Sequence, residues 1–455
     1  MNFIIQFISK ISTWIWGPPM LIILVGGGIW LTVFLGFLQI RYLPFIIKQT
    51  FGKIFDKPEG KGTISPFQAA CSALASTIGA SNIVGVPVAI AFGGPGAVFW
   101  MWVTAIIGSA TKFSEVVLGL KYREKNEEGN FVGGPMYYLK KGLSFPFLGG
   151  LFAFCLMLEL IPSIATQTIS VVQTASTIGI PNMATALTIA ALVGLVVYGG
   201  IKRIAQVTEK LVPFMAFLYL FGAFVIIFMN ISKIPEAIKL IFTYAFTPMA
   251  ATGGFAGSAL AATLRWGIAR GCYSNEAGMG TASIAHAAAM TDHPVRQAMW
   301  GIFEVIIDTI IVCSTTAFLV LTSGVWKKIP ASQAASMPAR AFQELLGEEV
   351  GGGIVTISIL MFVLSSLIVI IYYGEKQAEY LFKLRFSRII RFIYLLSILL
   401  GAIGGLKFLY QLVDIFLAAI IIPNIIGLVL MTRKIRDMKN EFFRDPKFYP
   451  RARIK

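Results

Sequence analysis

Charge is scarce in this chain. Of its 455 residues, 13% are charged and 56% are hydrophobic, and the mean hydropathy is +0.78. A soluble domain needs a polar surface, so this composition excludes a soluble globular protein. Apolar runs of about 20 residues, the length that crosses a bilayer as a helix, fill nearly the whole sequence. The composition therefore predicts an all-α integral membrane protein embedded in a lipid bilayer.

Cysteine and histidine are almost absent. The two histidines are His286 and His293, and the four cysteines have no CxxC spacing. The sequence also lacks the HExxH, GxSxG and GxxxxGK[ST] motifs of zinc proteases, serine hydrolases and nucleotide-driven pumps. These absences argue against a metal or redox centre, a nucleotide partner and enzymatic catalysis. We expect no cofactor and no enzyme activity.

Acidic side chains are fewer than basic ones. There are 22 acidic against 38 basic side chains, which gives a formal net charge of +16. We expect no nucleic-acid partner, because the basic residues lie between the apolar runs and follow the positive-inside rule of membrane proteins. In one orientation, 30 of the 38 Lys and Arg lie inside and 7 outside. This predicts a multi-pass plasma-membrane protein with its N-terminus outside and its C-terminus in the cytoplasm.

Eleven transmembrane helices are predicted from the apolar runs. Their ranges are 14–40, 66–92, 96–120, 147–176, 183–200, 209–230, 252–270, 296–322, 352–373, 389–405 and 409–431. The boundaries divide the chain into four parts. These are an interfacial segment with span 1 and the first cytoplasmic loop (1–62), two blocks of five spans (63–230 and 231–432), and a basic cytoplasmic tail (433–455).

Span 2 contains a stretch that a continuous helix would not need. "ALASTIGASNIVGVPVA", residues 73–89, has no charge but carries Ser, Thr, Asn, Gly and Pro in its middle. Glycine and proline weaken the backbone hydrogen bonding of a membrane helix. Small residues also allow close helix packing, but packing does not require this density of hydrogen-bonding groups. We therefore predict that span 2 is broken.

Span 7 repeats the pattern five spans later. "ATGGFAGSALAA", residues 251–262, places three glycines in its first half. Interrupted segments at matching places in successive halves indicate an inverted-repeat transporter, and an odd spacing of five spans turns the second half upside down. Span 1 then lies outside the repeat.

Several segments resemble the alanine/glycine:cation symporter family. They are "STIGASNIVGVPVAIAFGGPGAVFWMW", "GGPMYYL", "GGIKRIAQVTEKLVPFMA", "RGCYSNEAGMGTASIAHAAA", "HPVRQAMWGIFEVIIDTIIVCSTTA" and "IIPNIIGL". The resemblance extends from about residue 60 to residue 430, and the Asn275–Gly278 run is its most specific part. It implies a sodium-coupled carrier of small neutral amino acids. It also implies the ten-helix leucine-transporter fold, a 5+5 inverted repeat formed by helices 2–11, with one extra N-terminal helix.

The predicted substrate site lies at the break of span 2. The N-terminus of a half-helix offers unpaired N–H groups and partial positive charge to a carboxylate, and we assign these to Gly79, Ala80 and Ser81. Neighbouring substrate contacts are predicted at Thr77, Ile78 and Asn82. Sodium is a hard cation that prefers oxygen ligands, so we expect the unwound carbonyls of Ala75 and Ile78 to coordinate it.

Two adjacent serines of span 9 are the next sodium candidates. A membrane serine often bonds back to its own helix, and that alternative stays open for Ser365 and Ser366. The resemblance favours both as sodium ligands, because the corresponding helix of the ten-helix fold closes a sodium site with paired hydroxyls.

Spans 4 and 7 supply the remaining substrate candidates. Gln167 could bind the substrate or a neighbouring helix, and the resemblance favours the substrate. Ile164, one turn earlier on the same face, would wall the pocket. Phe255 could cover the substrate or simply pack, and the small Gly257 leaves room only for a short side chain. Alanine, glycine or serine is therefore the favoured substrate.

Ionisable residues inside membrane spans are functional candidates because their burial is costly. Asp308, with Thr309, is predicted to form a second cation site or to hold span 7 in place. Lys112 and Glu115, three residues apart on one helix, are predicted to form a structural ion pair.

Other polar residues near the membrane receive lesser roles. Asn275 and Glu276 are placed in a cytoplasmic loop, with Glu276 accepting hydrogen bonds from the backbone or Arg270. Glu159 and Asp414 lie near span edges and receive no role.

The function favoured by these features is inward sodium movement coupled to uptake of a small neutral amino acid by alternating access. A carboxylate facing the pocket would favour proton coupling instead, and Asp308 leaves that alternative open. A channel or receptor is the third hypothesis, but the sequence lacks a repeated filter motif.

Overall fold

Most predicted spans have a helix at their position. The computed structural model describes residues 10–11, 14–176, 179–250, 259–403 and 407–450. The first half of the chain contains ten helices among these residues: α1 (Pro18–Phe34), α2 (Leu38–Arg41), α3 (Leu43–Gln49), α4 (Pro66–Thr77), α5 (Val86–Gly93), α6 (Ala97–Lys121), α7 (Pro135–Gly142), α8 (Pro146–Ser176), α9 (Asn182–Val197) and α10 (Gly200–Met229).

The second half of the described chain also contains ten helices. They are α11 (Ile234–Tyr244), α12 (Leu260–Asn275), α13 (Ala282–His286), α14 (Pro294–Val305), α15 (Ser314–Ser323), α16 (Val325–Lys328), α17 (Met337–Leu346), α18 (Glu348–Ile403), α19 (Lys407–Leu430) and α20 (Thr432–Arg444). Two π-helical segments, Ser81–Gly85 and Ile306–Cys313, precede α5 and α15.

The remaining regular structure lies in connections. Three short 3₁₀ turns cover Phe51–Lys53, Ile231–Lys233 and Ala331–Ser336. The strands β1 (Glu124–Lys125) and β2 (Phe131–Val132) pair antiparallel, with Glu124 opposite Val132.

Six helical stretches of the described chain are long and apolar enough to cross a membrane, and the bent span 2 makes seven. The structure thus supports a multi-pass membrane protein. The 56-residue α18 covers predicted spans 9 and 10 and is interrupted at Lys383, whose φ is 68°. The shorter helices α1 and α9 are also apolar. The count of eleven spans, the inverted repeat and the orientation stay predictions.

The outer surface of α10 has the character of a lipid-facing helix. Five phenylalanines recur every three or four residues along it, and each is more than half exposed: Phe214, Phe217, Phe221, Phe224 and Phe228. This spacing places them on one face of the helix. Such a contiguous apolar stripe suits contact with lipid.

The break predicted in span 2 is confirmed. The first half, α4, begins with a capping box between Ser65 and Gln68, which satisfies two backbone donors at the helix start. It ends at Thr77, and the second half begins at Ser81 at an angle of 48°. Pro87 lies at the start of α5, where its missing N–H costs little. The second break, at residues 251–258, lies outside the described residues.

The structure corrects several boundaries. The helix at predicted span 6 begins at Gly200 rather than at residue 209. The connection after it contains α11, and the predicted basic tail contains α20. The hydropathy scan missed α20 because its charged residues lower the average, although Ile435 and Phe442 are fully buried against the protein.

Candidate functional site

A cavity of about 480 Å³ lies beside the break of span 2. Its walls are formed by both halves of the broken span, by α8, α12, α18 and α19, and by the loop that follows α12. Its volume falls within the range of small-molecule sites. The elements that line it come from both halves of the chain, so only the tertiary fold creates this space.

Seven predicted functional residues line this cavity. They are Thr77, Gly79, Ala80, Ser81, Gln167, Glu276 and Ser366. The structure thus brings the break of span 2 together with the middle of α8 and with one of the two adjacent serines of α18. Gln167 lines the cavity from α8, and its contact with substrate stays a prediction.

Eight other predicted residues lie behind the cavity wall. All are buried: Ala75, Ile78, Asn82, Ile164, Asn275, Asp308, Thr309 and Ser365. Their side chains pack within or between helices, although the backbone carbonyls of Ala75 and Ile78 flank the residues that do line the cavity. The predicted Phe255 and Gly257 lie outside the described residues.

The turn at the break is held by a side chain. The Asn82 Oδ1 accepts a hydrogen bond of 3.0 Å from the Gly79 amide. This amide is therefore already used, and the prediction that Gly79 offers its N–H to a substrate carboxylate is wrong in this structure. The φ of Gly79 also lies outside the left-handed region, and a Cβ there would come no closer than 3.9 Å to the Thr77 carbonyl oxygen. Gly79 therefore lines the cavity with backbone atoms alone.

Both carboxylate oxygens of Asp308 accept hydrogen bonds from protein side chains. Its Oδ1 accepts from Asn82 at 2.6 Å and its Oδ2 from Thr309 at 2.8 Å. The Ser274 hydroxyl lies 3.2 and 3.0 Å from the two oxygens. Asp308 thus connects the π-helical turn of span 2 to α12. Of its two predicted roles, this arrangement favours holding helices in place over binding a second cation.

The two adjacent serines of α18 differ in their partners. Ser365 donates to the Phe362 carbonyl at 2.9 Å and contacts the Met215 sulfur at 3.3 Å. Ser366 lines the cavity, is 1% exposed, and its Oγ has no hydrogen-bond partner among the described residues. Buried polar atoms are rarely left unpaired without a reason. Ser366 is the serine whose oxygen is available to a ligand.

The predicted ion pair within α6 is replaced by longer-range contacts. Lys112 Nζ lies 3.5 Å from Glu304 and donates to the Asn275 carbonyl at 2.9 Å. Glu115 Oε1 instead accepts from the amides of Gly278 and Gly280, at 2.9 and 3.0 Å. Spacing on one helix cannot reveal such partners, because Lys112 reaches residues of two other helices and Glu115 reaches the loop after α12.

Four ionisable residues of the cavity received no site role from the sequence. Glu159, Arg265, Arg270 and Asp414 all line it. Their positions near the ends of apolar runs suggested contact with water or cytoplasm. The sequence signal that could have found these residues is a charged side chain within an otherwise apolar run. Glu159 illustrates this signal, because it is only 3% exposed and yet lines the cavity.

Glu276 also differs from its predicted setting. It follows α12 directly with φ 54°, in the left-handed region. Its Oε2 accepts hydrogen bonds from Thr281 at 2.6 Å and from Ser76 at 3.3 Å, rather than from the backbone or Arg270 as predicted. The loop residue thereby becomes part of the cavity wall beside the first half of span 2.

Known proteins match nearly the whole length of this sequence. A model of the sodium:alanine symporter family matches residues 1–451. The uncharacterized transporter YflA of Bacillus subtilis is 51% identical over 451 residues, covering 99% of this chain and 96% of that protein. The sodium/alanine symporter AgcS of Methanococcus maripaludis is 42% identical over 447 residues, covering 95% of each.

A solved structure is similar at a lower level. It is a Na⁺-coupled sialic acid symporter in a substrate-bound outward-open state, with a TM-score of 0.49 and 14% identity, covering 91% of this chain and 86% of that one. This likeness is below the level at which residues can be matched. The family model and the full-length relatives decide the assignment: the chain belongs to the sodium:alanine symporter family.

Proposed function

We propose that this protein couples the inward movement of sodium to the uptake of a small neutral amino acid, such as alanine, glycine or serine, by alternating access. Membership in a symporter family gives the class of activity, a transporter rather than an enzyme. The observation that carries the proposal is the cavity at the broken helix, which is lined both by the turn at residues 79–81 and by Ser366, whose hydroxyl has no partner among the described residues.

The substrate carboxylate is proposed to bind at the start of the second half of span 2. Ala80 and Ser81 line the cavity there, and the positive end of the half-helix favours an anion. Gln167 faces the same space and can hydrogen-bond the polar backbone groups of an amino acid. Ile164 lies behind this wall and acts on pocket shape through packing.

The coupling ion is proposed to lie near Ser366 and the carbonyls of Ala75 and Ile78. Neutral oxygens suit sodium, because they replace its water ligands without adding fixed charge. Asp308 is proposed to position the broken helix rather than to bind an ion.

Uptake by reconstituted protein tests the function. In proteoliposomes with an inward sodium gradient, labelled alanine should accumulate, and replacing external sodium with choline should abolish the accumulation. One sodium ion moved across ~100 mV contributes ~2.3 kcal/mol and a tenfold gradient ~1.4 kcal/mol. Accumulation that follows a proton gradient without sodium would contradict sodium coupling, and absence of substrate-stimulated counterflow would contradict a carrier.

The two adjacent serines of α18 make a matched pair for testing the ion site. Ser366→Ala should raise the sodium concentration for half-maximal uptake about tenfold, because it removes an oxygen that faces the cavity. Ser365→Ala should change it less than about twofold, because this hydroxyl bonds its own helix. Sodium titration of uptake measures both, and equal behaviour of the two variants would contradict the assignment.

A further inference from the structure

We propose that Glu276 is the carboxylate ligand of a sodium ion bound in the cavity, a charged ligand in addition to the neutral oxygens near Ser366. This inference rests on the proposed sodium coupling and adds a residue that the sequence placed in a cytoplasmic loop. It depends on the position of the carboxylate, on the absence of a basic side chain in contact with it among the described residues, and on the hydroxyl oxygens next to it.

The carboxylate faces the cavity with one oxygen engaged. Oε2 accepts hydrogen bonds from the hydroxyls of Thr281 and Ser76. Oε1 accepts no hydrogen bond from the described part of the chain. Ser76 is the residue before Thr77, at which the first half of span 2 ends. The free oxygen therefore lies next to the unwound turn and not in bulk cytoplasm.

No basic side chain contacts the Glu276 carboxylate in the described part of the chain. Among the described residues, no Lys or Arg nitrogen lies within 4.0 Å of its carboxylate. Lys112, whose side chain is fully buried, is engaged by Glu304 and the Asn275 carbonyl. Arg270 lines the cavity but packs over the Trp266 ring, 5.2 Å from its centroid. A carboxylate in a membrane protein without an adjacent counter-charge is costly, and either a bound proton or a bound cation removes that cost. Proton binding at Glu276 would make uptake follow the proton gradient rather than the sodium concentration, so sodium titration of uptake distinguishes the two.

Two hydroxyl groups contact the carboxylate, and two more lie along the same cavity. Ser76 and Thr281 contact it directly, and the Tyr373 hydroxyl lies 3.4 Å from the Ser76 Oγ. Ser366, with its unpartnered Oγ, lies two helical turns from Tyr373 on α18 and lines the same cavity. One carboxylate and several neutral oxygens form the kind of donor set that a hard cation selects.

Several hydrogen bonds hold the loop that carries Glu276. Glu115 Oε1 accepts from the amides of Gly278 and Gly280, and Asn424 donates to the Gly278 carbonyl at 2.8 Å. Gly278 has φ 105° and a Cβ there would meet the Leu24 side chain at 2.8 Å. These contacts fix the left-handed backbone of Glu276 and aim its side chain, as a preorganised ligand requires.

The test is sodium titration of uptake by the Glu276→Gln variant in proteoliposomes. The amide keeps the size of the side chain and can still accept from Thr281, but it loses the charge. We expect the sodium concentration for half-maximal uptake to rise about tenfold or more, with a melting temperature close to the wild-type value. A folded variant with wild-type sodium dependence would overturn the proposal.

Two further variants separate ligation from general effects. Glu159→Gln removes another carboxylate that lines the same cavity, and if Glu276 is the ligand, this variant should shift the sodium requirement less than Glu276→Gln does. A shift as large as that of Glu276→Gln would mean that net charge, not ligation, is responsible. Thr281→Val keeps the side-chain shape and should raise the sodium requirement even if Glu276→Gln fails to fold. An unchanged requirement in a folded Thr281→Val protein would also overturn the proposal.

Failure of this inference is distinguishable from failure of the proposed function. If wild-type uptake did not depend on sodium, the proposed coupling itself would be wrong. If wild-type uptake depends on sodium but the Glu276→Gln titration is unchanged, only the role of Glu276 is wrong.

Discussion

Replacing Gly79 with leucine is expected to abolish amino-acid uptake while leaving the protein inserted and folded. Gly79 lines the cavity at the break of span 2, so a leucine side chain would occupy the space proposed for the substrate. Its backbone is compatible with a side chain, because its φ is outside the left-handed region and a Cβ would meet no atom closer than 3.9 Å. Binding of labelled alanine and melting temperature are measured on the same purified variant.

Two controls sharpen this result. Gly79→Ala adds only a methyl group and should fold normally with weakened uptake. Gly150 in α8 also has open space around a built Cβ but lies away from the cavity, so Gly150→Leu should retain uptake. A stable Gly79→Leu protein that binds alanine normally would contradict the site. A strongly destabilised one would favour helix packing as the reason for this glycine.

Among the substitutions proposed for this protein, Asp308→Ala is expected to lower the melting temperature most. The change removes the carboxylate that accepts from the side chains of Asn82, Ser274 and Thr309 in a fully buried position. Asn82 and Ser274 keep only weaker contacts with the Cys313 sulfur and the backbone carbonyl of residue 308. Each unsatisfied buried donor costs about 1–3 kcal/mol. Because Asn82 also holds the Gly79 amide, the turn of span 2 should loosen and uptake should be lost. Thermal unfolding of the purified protein measures the effect.

The Asp308→Asn variant separates positioning from ion binding. Its amide oxygen still accepts hydrogen bonds, so it should recover part of the lost stability. If Asp308 only positions helices, the sodium concentration for half-maximal uptake should stay near the wild-type value in this variant. A large rise in that concentration in a stable protein would instead identify Asp308 as a cation ligand.

The break of span 2 could be predicted because its cause is local. Glycine and proline interrupt helical hydrogen bonding wherever the segment packs, and the capping residues at Ser65 and Gln68 act within a few positions. The location of Thr77, Ala80 and Ser81 at a cavity followed from that break. The membrane class of the protein followed from hydropathy, which depends on composition alone.

Partner choice could not be predicted, because it depends on contacts between distant parts of the chain. Lys112 pairs with Glu304, 192 positions later, rather than with Glu115 on its own helix. Ser365 and Ser366 are identical in type and adjacent, and only the rotation of α18 decides which one faces the cavity. Asn82 looked like a substrate ligand, but its neighbour across the helix interface is Asp308.

The sequence by itself determined a helical membrane protein with a broken second span, since hydropathy and backbone propensity act over short distances. The tertiary structure alone decided which side chains share the cavity. It placed the loop residue Glu276 in contact with Ser76, at the end of the first half of span 2. It also paired the Gly79 amide with Asn82 and left the Ser366 hydroxyl without a partner among the described residues. These outcomes depend on the relative rotation and depth of packed helices, which one-dimensional spacing does not encode.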